Sequence, residues 1–462
     1  MTTAAPSDHA VQQQIAARLE RLPMSRWHVM VRLVIGVVTF FEAFDQLLIA
    51  FSMPQITKEW GLSAAGVTAT LTVGSIGMLL GALASGWLAD RIGRVRVIAL
   101  CVAVTALGSL GMALCTSLLP FLVLRFVQGF AIGGEVPTAA SYISELSRAK
   151  RRGRFVLMYE IVFPAGLAIG ALASAWIIPH WGWRTLFVIA AVPGIAAVAV
   201  QRRVPESPRW LAARGRTAEA VRTMEEIERQ VEKATGQPLP APAPVRAAVQ
   251  TEPQRRNSSL RDLFAGRYRK RTLVVWAIWF VGYLANYGVT SWLPTLYRTT
   301  YHLPMDTALW YSTAASVAGL FGCLIAALAV DLVGRRVVFS VGLGATAVPL
   351  LVLAALGATT AVQLVVWSAI AAMFNFAVNV SLYLYTPELY PTRSRALGCS
   401  MGGTMNRLGL IVGPVLVGTL YAGGSNLSAV FFAIGGITLL GALVAALFVE
   451  ETKGRTLEEL SP

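Results

Sequence analysis

The sequence predicts an all-α membrane protein of twelve transmembrane helices arranged as two pseudo-symmetric six-helix bundles. Three observations predict it. Of 462 residues, 55% are hydrophobic and only 14% are charged, whereas a soluble domain carries roughly 25% charge. Apolar runs of about 18 residues or more recur along almost the whole chain, each long enough to cross roughly 30 Å of hydrocarbon. Short motifs in the first half return in the second at a nearly constant spacing.

Taken in order, the chain opens with a polar segment, residues 1–30, that carries Arg18, Glu20, Arg21 and Arg26. No short apolar stretch with a small-residue cleavage site precedes the first span, so no removable signal peptide is expected. A first bundle occupies 31–204, with spans at 31–53, 67–88, 97–117, 119–143, 155–178 and 185–203. A polar linker, 205–270, begins Pro205-Glu-Ser-Pro-Arg-Trp-Leu211. It continues through a charged helical piece from Thr217 to Lys233, then through a proline-rich stretch from Pro238 to Pro244, which reads as a loose connector. A second bundle occupies 271–449, with spans at 271–295, 308–330, 337–357, 361–385, 397–421 and 428–449. Residues 450–462 form a tail. An even number of spans puts both ends on one side of the membrane.

The two bundles are related. Gly86-Trp-Leu-Ala-Asp90-Arg-Ile-Gly93-Arg94 follows span 2, and Ala327-Leu-Ala-Val-Asp331-Leu-Val-Gly334-Arg335 follows span 8, so Asp90 and Asp331 stand 241 apart. Tyr142-Ile-Ser-Glu145 ends span 4 and Tyr385-Thr-Pro-Glu388 ends span 10, 243 apart; Val204-Pro-Glu-Ser and Val449-Glu-Glu-Thr follow spans 6 and 12, 245 apart. Three matches at the same topological places indicate an internal duplication of six spans. Parallel repeats of this kind are a transporter design, with the solute site near the midplane between the halves.

The net charge of +15 would suggest nucleic acid in a soluble chain, but its distribution excludes that. Lys58, Arg184 and Arg298 fall on one side of the predicted membrane and Arg125 and Arg407 inside it, which leaves 34 of the 39 Lys and Arg on the other side. This is the positive-inside pattern, so the basic side and both termini are expected to be cytoplasmic. Abundant Ala and Arg suggest a bacterium, hence its inner membrane. A monomer is expected, with the lipid bilayer as its main partner.

Enzyme chemistry is not expected. No Gly-Lys dipeptide occurs, so there is no phosphate loop for ATP-driven pumping. The four histidines, His9, His28, His180 and His302, are scattered, and Cys101, Cys115, Cys323 and Cys399 lack metal-ligand spacing, so no cofactor or metal is expected.

Ionisable groups inside the bilayer cost at least about 2.5–3.5 kcal/mol each and need a partner or a function. Span 1 holds Glu42 and Asp45, three apart and so on one helix face. Span 4 holds Arg125, Gln128 and Glu135. The two spans run in opposite directions and place Asp45 and Arg125 at similar depth, so an Asp45–Arg125 ion pair is expected. Glu42 reads either as a second proton carrier or as a polar residue lining the cavity. Glu135, beside Gly133, Gly134 and Pro137, reads as a site or proton-path residue or as a capped acid in a kinked helix. Glu160 reads as an interface acid.

Arg407 lies in Asn406-Arg407-Leu408-Gly409, about ten residues into span 11 and so about 15 Å deep at 1.5 Å per residue. A guanidinium there either binds a substrate carboxylate through two parallel hydrogen bonds or pairs internally, with Glu135 as a partner. Trp279, Phe280, Tyr283 and Tyr287 of span 7, with Phe374 and Tyr383 of span 10, offer aromatic faces that suit a flat ring. Asn286, Asn375 and Asn379 are buried amides that need partners and are candidate solute-lining groups.

These motifs resemble the major facilitator superfamily across roughly residues 30–455. The Asp-x-x-Gly-Arg loops after spans 2 and 8 and the span 4 run Arg125-Phe-Val-Gln128-Gly129 are similar to its signatures. Pro205-Glu-Ser-Pro-Arg-Trp-Leu and Glu450-Glu-Thr-Lys-Gly454 are similar to the sugar-porter branch and its organic-ion relatives. Span 7 lacks the Gln-Gln pair and Asn with which sugar porters bind hydroxyls. The Arg-Leu-Gly of span 11 resembles organic anion transporters and bacterial proton-coupled symporters for aromatic acids and nicotinate. The resemblance implies an organic anion as substrate, nicotinate first and hydroxybenzoate-like acids next, with protons as the coupled ion. It also implies that Asp45 exchanges Arg125 for a proton, since a carboxylate separated from its arginine is desolvated. Asp90, Gly93, Arg94 and Glu145, with Asp331, Gly334, Arg335 and Glu388, would form a cytoplasmic latch. Alternatives within the fold are an organic-cation or drug antiporter, an uncoupled facilitator, a sugar–proton symporter and a non-transporting receptor.

Overall fold

The computed structural model describes residues 8–23, 25–146, 162–192, 204–241, 260–421 and 427–453. The first half comprises α1 (Asp8–Arg21), α2 (Arg26–Trp60), α3 (Ala64–Ile92), α4 (Arg94–Ala113), α5 (Leu118–Leu146) and α6 (Val162–Ala190), then the short α7 (Pro208–Ala213) and α8 (Thr217–Thr235). The second half comprises α9 (Leu260–Leu263), α10 (Tyr268–Thr290), α11 (Leu293–Thr299), α12 (Met305–Val333), α13 (Arg335–Leu356), α14 (Ala361–Glu388), α15 (Thr392–Tyr421) and α16 (Leu427–Phe448). Among the described residues ten helices are long and apolar enough to cross a membrane.

The helices overrun the predicted spans, because a helix that leaves the hydrocarbon continues into water until a residue stops it. α2 runs to Trp60 and is closed by Gly61 at φ 62°. Gly93 (φ 110°) and Gly334 (φ 92°) make the sharp turns after α3 and α12, a backbone that favours glycine. Two boundaries differ from expectation. Residues 179–184, read as a loop, belong to α6, which rounds its corner at Gly182 with φ 78°. Span 7 breaks at Ser291 and Trp292 into α10 and α11. Residues 193–203 of span 6 and Glu160 lie outside the described residues.

In the first half α3 packs on α5, α4 on α5 and α2 on α6; in the second α12 packs on α14, α13 on α14 and α16, and α10 on α15. The α3–α5 seam is a small-residue approach: a side chain at Gly77 would meet the Phe126 carbonyl, and one at Gly81 the Phe130 carbonyl. Such seams let helix backbones come close where lipid gives no hydrophobic drive to associate. The halves meet through α3 with α15 and α6 with α12, and through α11 with α2.

Buried apolar contacts are distributed unequally along the membrane normal. Away from the basic side, one cluster joins Phe51, Ile56 and Phe187 of the first half to Trp292, Leu296, Tyr297 and Phe431 of the second. On the basic side the halves keep separate clusters, one around Ile98, Tyr142 and Trp210, the other around Phe339, Tyr385 and Tyr390. Met78 and Ile132 of the first half join the latter at mid-depth. Among the described residues, the buried apolar contacts between the halves therefore lie mainly away from the basic side.

The polar N-terminal segment and the start of the linker are more ordered than their composition suggests. Val11, Ile15 and Leu19, four apart on one face of α1, bury against Met224, Ile227 and Val231 of α8. Arg18 and Arg21 both grip Glu228, each at 2.6 Å. Arg21 also donates to the Pro240 carbonyl at 2.9 Å and the Leu239 N–H donates to Glu232 at 3.3 Å, so the first residues of the proline stretch sit against α1 and α8. Burial alone would raise the Glu228 carboxyl, but hydrogen bonds and charges from Arg18 and Arg21 hold it below its usual value. A carboxyl held low in the folded chain contributes stability above its unfolded value of about 4.3 and loses it as pH falls through the folded value. Charge-assisted hydrogen bonds contribute about 1.5–3 kcal/mol. Glu228→Gln should therefore speed amide exchange in α1 about tenfold or more near neutral pH, and wild type should approach the variant as pH falls into the acid range. Equal exchange rates in the two proteins at pH 7 would contradict this docking.

Candidate functional site

A cleft lies between the halves at mid-depth. Its first-half wall is Thr39, Glu42 and Gln46 of α2 with Phe163 and Pro164 of α6. Its second-half wall is Tyr283, Asn286 and Tyr287 of α10, Phe376, Asn379 and Tyr383 of α14, and Asn406 and Arg407 of α15. Tyr283, Asn286 and Tyr287 share one face because i, i+3 and i+4 positions coincide on a helix.

Aromatic rings form a ladder on that face. Tyr283 stacks on Tyr287 with centroids 6.1 Å apart and planes 9° apart, and Trp279 stacks on Tyr283 at 5.6 Å and 22°. Tyr283 and Tyr383 bring their hydroxyls to 3.4 Å. Tyr287 donates to Gln46 Oε1 at 2.9 Å, a hydrogen bond that crosses between the halves. Trp279 itself is buried and donates to Thr386 at 2.9 Å, so it supports the ladder from behind rather than facing the cleft. Asn375 also stands behind the wall, in a small cavity shared with Asn286, Thr346 and Ser368.

Arg407 sits on the cleft wall with Nη1 3.4 Å from Asn406 Oδ1. Among the described residues it makes no ion pair, so the alternative of an Arg407–Glu135 bridge is not realised. Among the described residues, the buried Nε of Arg407, Oδ1 of Asn286 and both amide atoms of Asn379 have no hydrogen-bond partner. Buried polar groups are ordinarily satisfied, so donors and acceptors are concentrated here for something other than the fold.

The expected ion pair is present. Arg125 Nη1 lies 2.9 Å from Asp45 Oδ2, Gln128 Nε2 donates to Asp45 Oδ1 at 2.9 Å, and Arg125 donates to Gln128 Oε1 at 2.5 Å. Ser109 of α4, which sequence reasoning missed, donates to Asp45 at 3.3 Å and accepts from Gln128 at 2.7 Å. Asp45 is 1% and Arg125 3% exposed. Gly74 lets α3 lie against the Arg125 side chain, since a Cβ there would come within 2.7 Å of Nε. Asp45 does not reach the cleft wall. Glu42, one turn away and 6% exposed, does. Glu135, 2% exposed, lines a separate small cavity with Glu42 and Thr105.

The basic-side motifs form two matching collars. In the first half Arg94 pairs with Asp90 at 2.8 Å and Glu145 at 3.2 Å. Glu206 accepts from the backbone N–H groups of Arg94 and Val95 at the start of α4, Ser207 donates to Glu145, and Tyr142 donates to the Pro205 carbonyl. In the second half Arg335 pairs with Glu388 at 3.0 Å, and Glu451 accepts from Arg335 and Arg336 at the start of α13. Thr452 donates to Glu388 and Tyr385 to the Glu450 carbonyl. A carboxylate at a helix N-terminus satisfies orphan donors and the helix dipole, and backbone hydrogen bonds hold Glu451 below its usual value against the opposing effect of burial. The roles of Glu206 and Glu451 were missed, although the repeat of Val-Pro-Glu-Ser and Val-Glu-Glu-Thr carried the signal. The Asp331 side chain lies outside the described residues. Among the described residues, the collar contacts named here each lie within one half.

Removing one partner of a buried pair leaves an unpaired charge and costs about 3–5 kcal/mol, whereas replacing the pair by apolar groups is often neutral. Arg125→Met alone should therefore lower the thermal unfolding temperature in detergent sharply, and Arg125→Met with Asp45→Leu should recover most of the loss. A double variant no better than the single would show that the pair has a stabilising role beyond charge compensation.

The sugar (and other) transporter family matches residues 26–462. The niacin transporter NiaP of Acinetobacter baylyi is 33% identical over 448 residues, 96% of this chain and 99% of that one. The gallate transporter of Pseudomonas putida is 30% identical over 437 residues, 93% of each chain. The 4-hydroxybenzoate transporter PcaK of Pseudomonas aeruginosa is 30% identical over 445 residues, 93% and 94% of the two chains. Among solved structures, the inward open conformation of the xylose transporter XylE from E. coli is similar at a TM-score of 0.70 and 18% identity, covering 94% of this chain and 99% of that one.

Proposed function

The chain belongs to the sugar (and other) transporter family of the major facilitator superfamily, a family of transporters and not of enzymes, and from that premise we propose that it carries a small aromatic or heteroaromatic carboxylate inward together with a proton. The observation that carries this reading is Arg407, a guanidinium on the cleft wall with no acid paired to it among the described residues, set beside stacked tyrosines and unsatisfied amides. A planar guanidinium fork fits a carboxylate through two hydrogen bonds. Tyr283, Tyr287 and Tyr383 supply ring faces, and Asn286, Asn379 and Asn406 supply the few polar groups that orient a ligand in a largely apolar site.

Nicotinate leads among substrates and hydroxybenzoate-like acids follow, in line with the relatives that carry niacin, 4-hydroxybenzoate and gallate. Positive-inside asymmetry supports a bacterial inner-membrane reading with the basic side, α1 and both termini in the cytoplasm. Buried contacts between the halves that lie mainly away from the basic side support a cytoplasm-facing stage of alternating access by a monomer, with the two collars meeting when that side shuts. The chain divides accordingly into bundles at 31–204 and 271–449 joined by the 205–270 linker. One observation favours a second reading: Glu42 shares the cleft, as the acid of an organic-cation antiporter would.

Uptake into proteoliposomes of nicotinate, 4-hydroxybenzoate, xylose and a quaternary ammonium ion separates the readings. The aromatic acids should accumulate when the outside is made acidic, and the sugar and cation should not. Arg407→Lys keeps the charge but loses the fork. At about 1.5–3 kcal/mol for a charge-assisted hydrogen bond, it should weaken nicotinate binding about tenfold to a hundredfold. Equal binding by the lysine variant would refute the two-bond account, and uptake of xylose or the cation alone would refute the substrate class.

A further inference from the structure

Positive charge is crowded where the second bundle begins. Arg267, Arg269, Lys270 and Arg271 occupy four of five consecutive positions. Arg271 turns inward, pairing with Glu450 at 2.6 Å and donating to the Leu389 carbonyl at 3.1 Å. Arg267, Arg269 and Lys270 stay exposed. Two of them lean on rings: the Arg267 guanidinium lies 5.4 Å from the centroid of Tyr268, and Lys270 Nζ lies 5.0 Å from that of Phe448 at the end of α16. Like charges held this close repel one another, so an anion drawn to the corner would relieve them.

Exposed apolar side chains frame these cations. They are Leu260 of α9, Phe264 just after it, Leu273 one turn along α10 from Arg269, and Phe448. Phe264 meets Trp276 edge to face at 5.5 Å. Trp276 stands about two turns into α10, so the chain before α10 folds back along the flank of a membrane span. Hydrogen bonds fix that fold: Thr272 donates to the Leu263 carbonyl at 2.8 Å, and Tyr390 donates to Thr272 at 3.0 Å. The matching corner of the first half is built differently. At the 241-residue offset of the repeat, Arg26, His28 and Val29 stand where Arg267, Arg269 and Lys270 do. There Trp27 and Val31 share a buried cluster with Val11, Ile15 and Leu19 of α1. One corner thus packs with a helix of the chain, and the other carries two more cations at a lipid-facing edge.

We infer that the corner made by α9, the start of α10 and the end of α16 binds an anionic phospholipid of the leaflet on the basic side. Arg267, Arg269 and Lys270 take the headgroup phosphate, and Phe264, Leu273 and Phe448 lie beside the acyl chains. Long basic side chains rest their stems on apolar surface and extend their charge to the headgroup level, where anionic lipids attract them. The site lies outside the cleft and does not depend on the identity of the cargo. It ties the end of the linker to the bilayer through the same helix that carries Tyr283 and Tyr287 at its middle.

The test titrates the full-length protein in detergent with phosphatidylglycerol, and separately with phosphatidylcholine, and reads bound lipid by native mass spectrometry. Phosphatidylglycerol should bind more tightly. Replacing Arg267, Arg269 and Lys270 together by Gln should weaken it roughly a hundredfold, at about fivefold per cation. A charge-matched control, Gln at the exposed Arg96, Arg222 and Arg229 elsewhere on the basic side, should leave the affinity unchanged. Amide exchange in nanodiscs locates the site: residues 260–272 should exchange more slowly when phosphatidylglycerol is present, and inorganic phosphate added to phosphatidylcholine nanodiscs should not reproduce the effect. Equal binding of the two lipids overturns the inference, and so does a triple variant that keeps wild-type affinity. A control variant that loses as much would show diffuse attraction to the whole basic side, and protection by inorganic phosphate would show a site for the free anion; either also overturns it. Folding is checked by thermal unfolding. If the triple variant unfolds, Lys270→Gln alone should still weaken phosphatidylglycerol binding about fivefold, and no change there overturns the inference.

Discussion

The hydrocarbon core tolerates a charge only where the protein answers it, and the rest of this structure depends on how that demand is met. Asp45, Arg125, Gln128 and Ser109 meet it by closing on one another. One carboxylate accepts from three side chains on two helices, so α2, α4 and α5 are fixed in register at mid-membrane. Opposite that cluster, Arg407 on the cleft wall has no acid paired to it among the described residues. The contrast between an answered charge and an unanswered one gives the cleft its polarity.

Symmetry explains much of the remainder. The same six-helix plan is used twice, and the collars show how closely: arginine on glutamate, hydroxyl on the same glutamate, tyrosine on a carbonyl, and a carboxylate over the next helix N-terminus, in each half. The interfaces between halves obey the same relation, with α3 against α15 and α6 against α12. Where the halves diverge, chemistry differs: acids in the first, amides and an arginine in the second.

The architecture was legible in the sequence because hydrophobic length, charge asymmetry and repeat spacing are properties of the chain itself. The Asp45–Arg125 pair was legible from depth alone, since two unlike charges buried at one level have few other partners. Other features were not. Ser109 looks like any hydroxyl in an apolar run. The sequence of a helix that is apolar on all sides does not say which face meets lipid and which meets the cleft, so Trp279 and Asn375 were expected on a wall they support from behind. The docking of α1 on α8 joins Arg18 to Glu228, 210 positions apart, and neither segment reveals its partner locally. Glu206 and Glu451 were visible as motif letters, but their place over helix ends emerged only from the turns at Gly93 and Gly334.

Because the collar contacts among the described residues are each completed within one bundle, neither bundle borrows from the other for them. The chain can accordingly be regarded as two modules spliced through 242–259. Genes encoding the stretches up to 241 and from 260 onward, expressed side by side, would yield fragments that each carry a finished rim and the complementary surfaces for reassembly. Such split genes would allow one bundle to be labelled or exchanged while the other is left untouched.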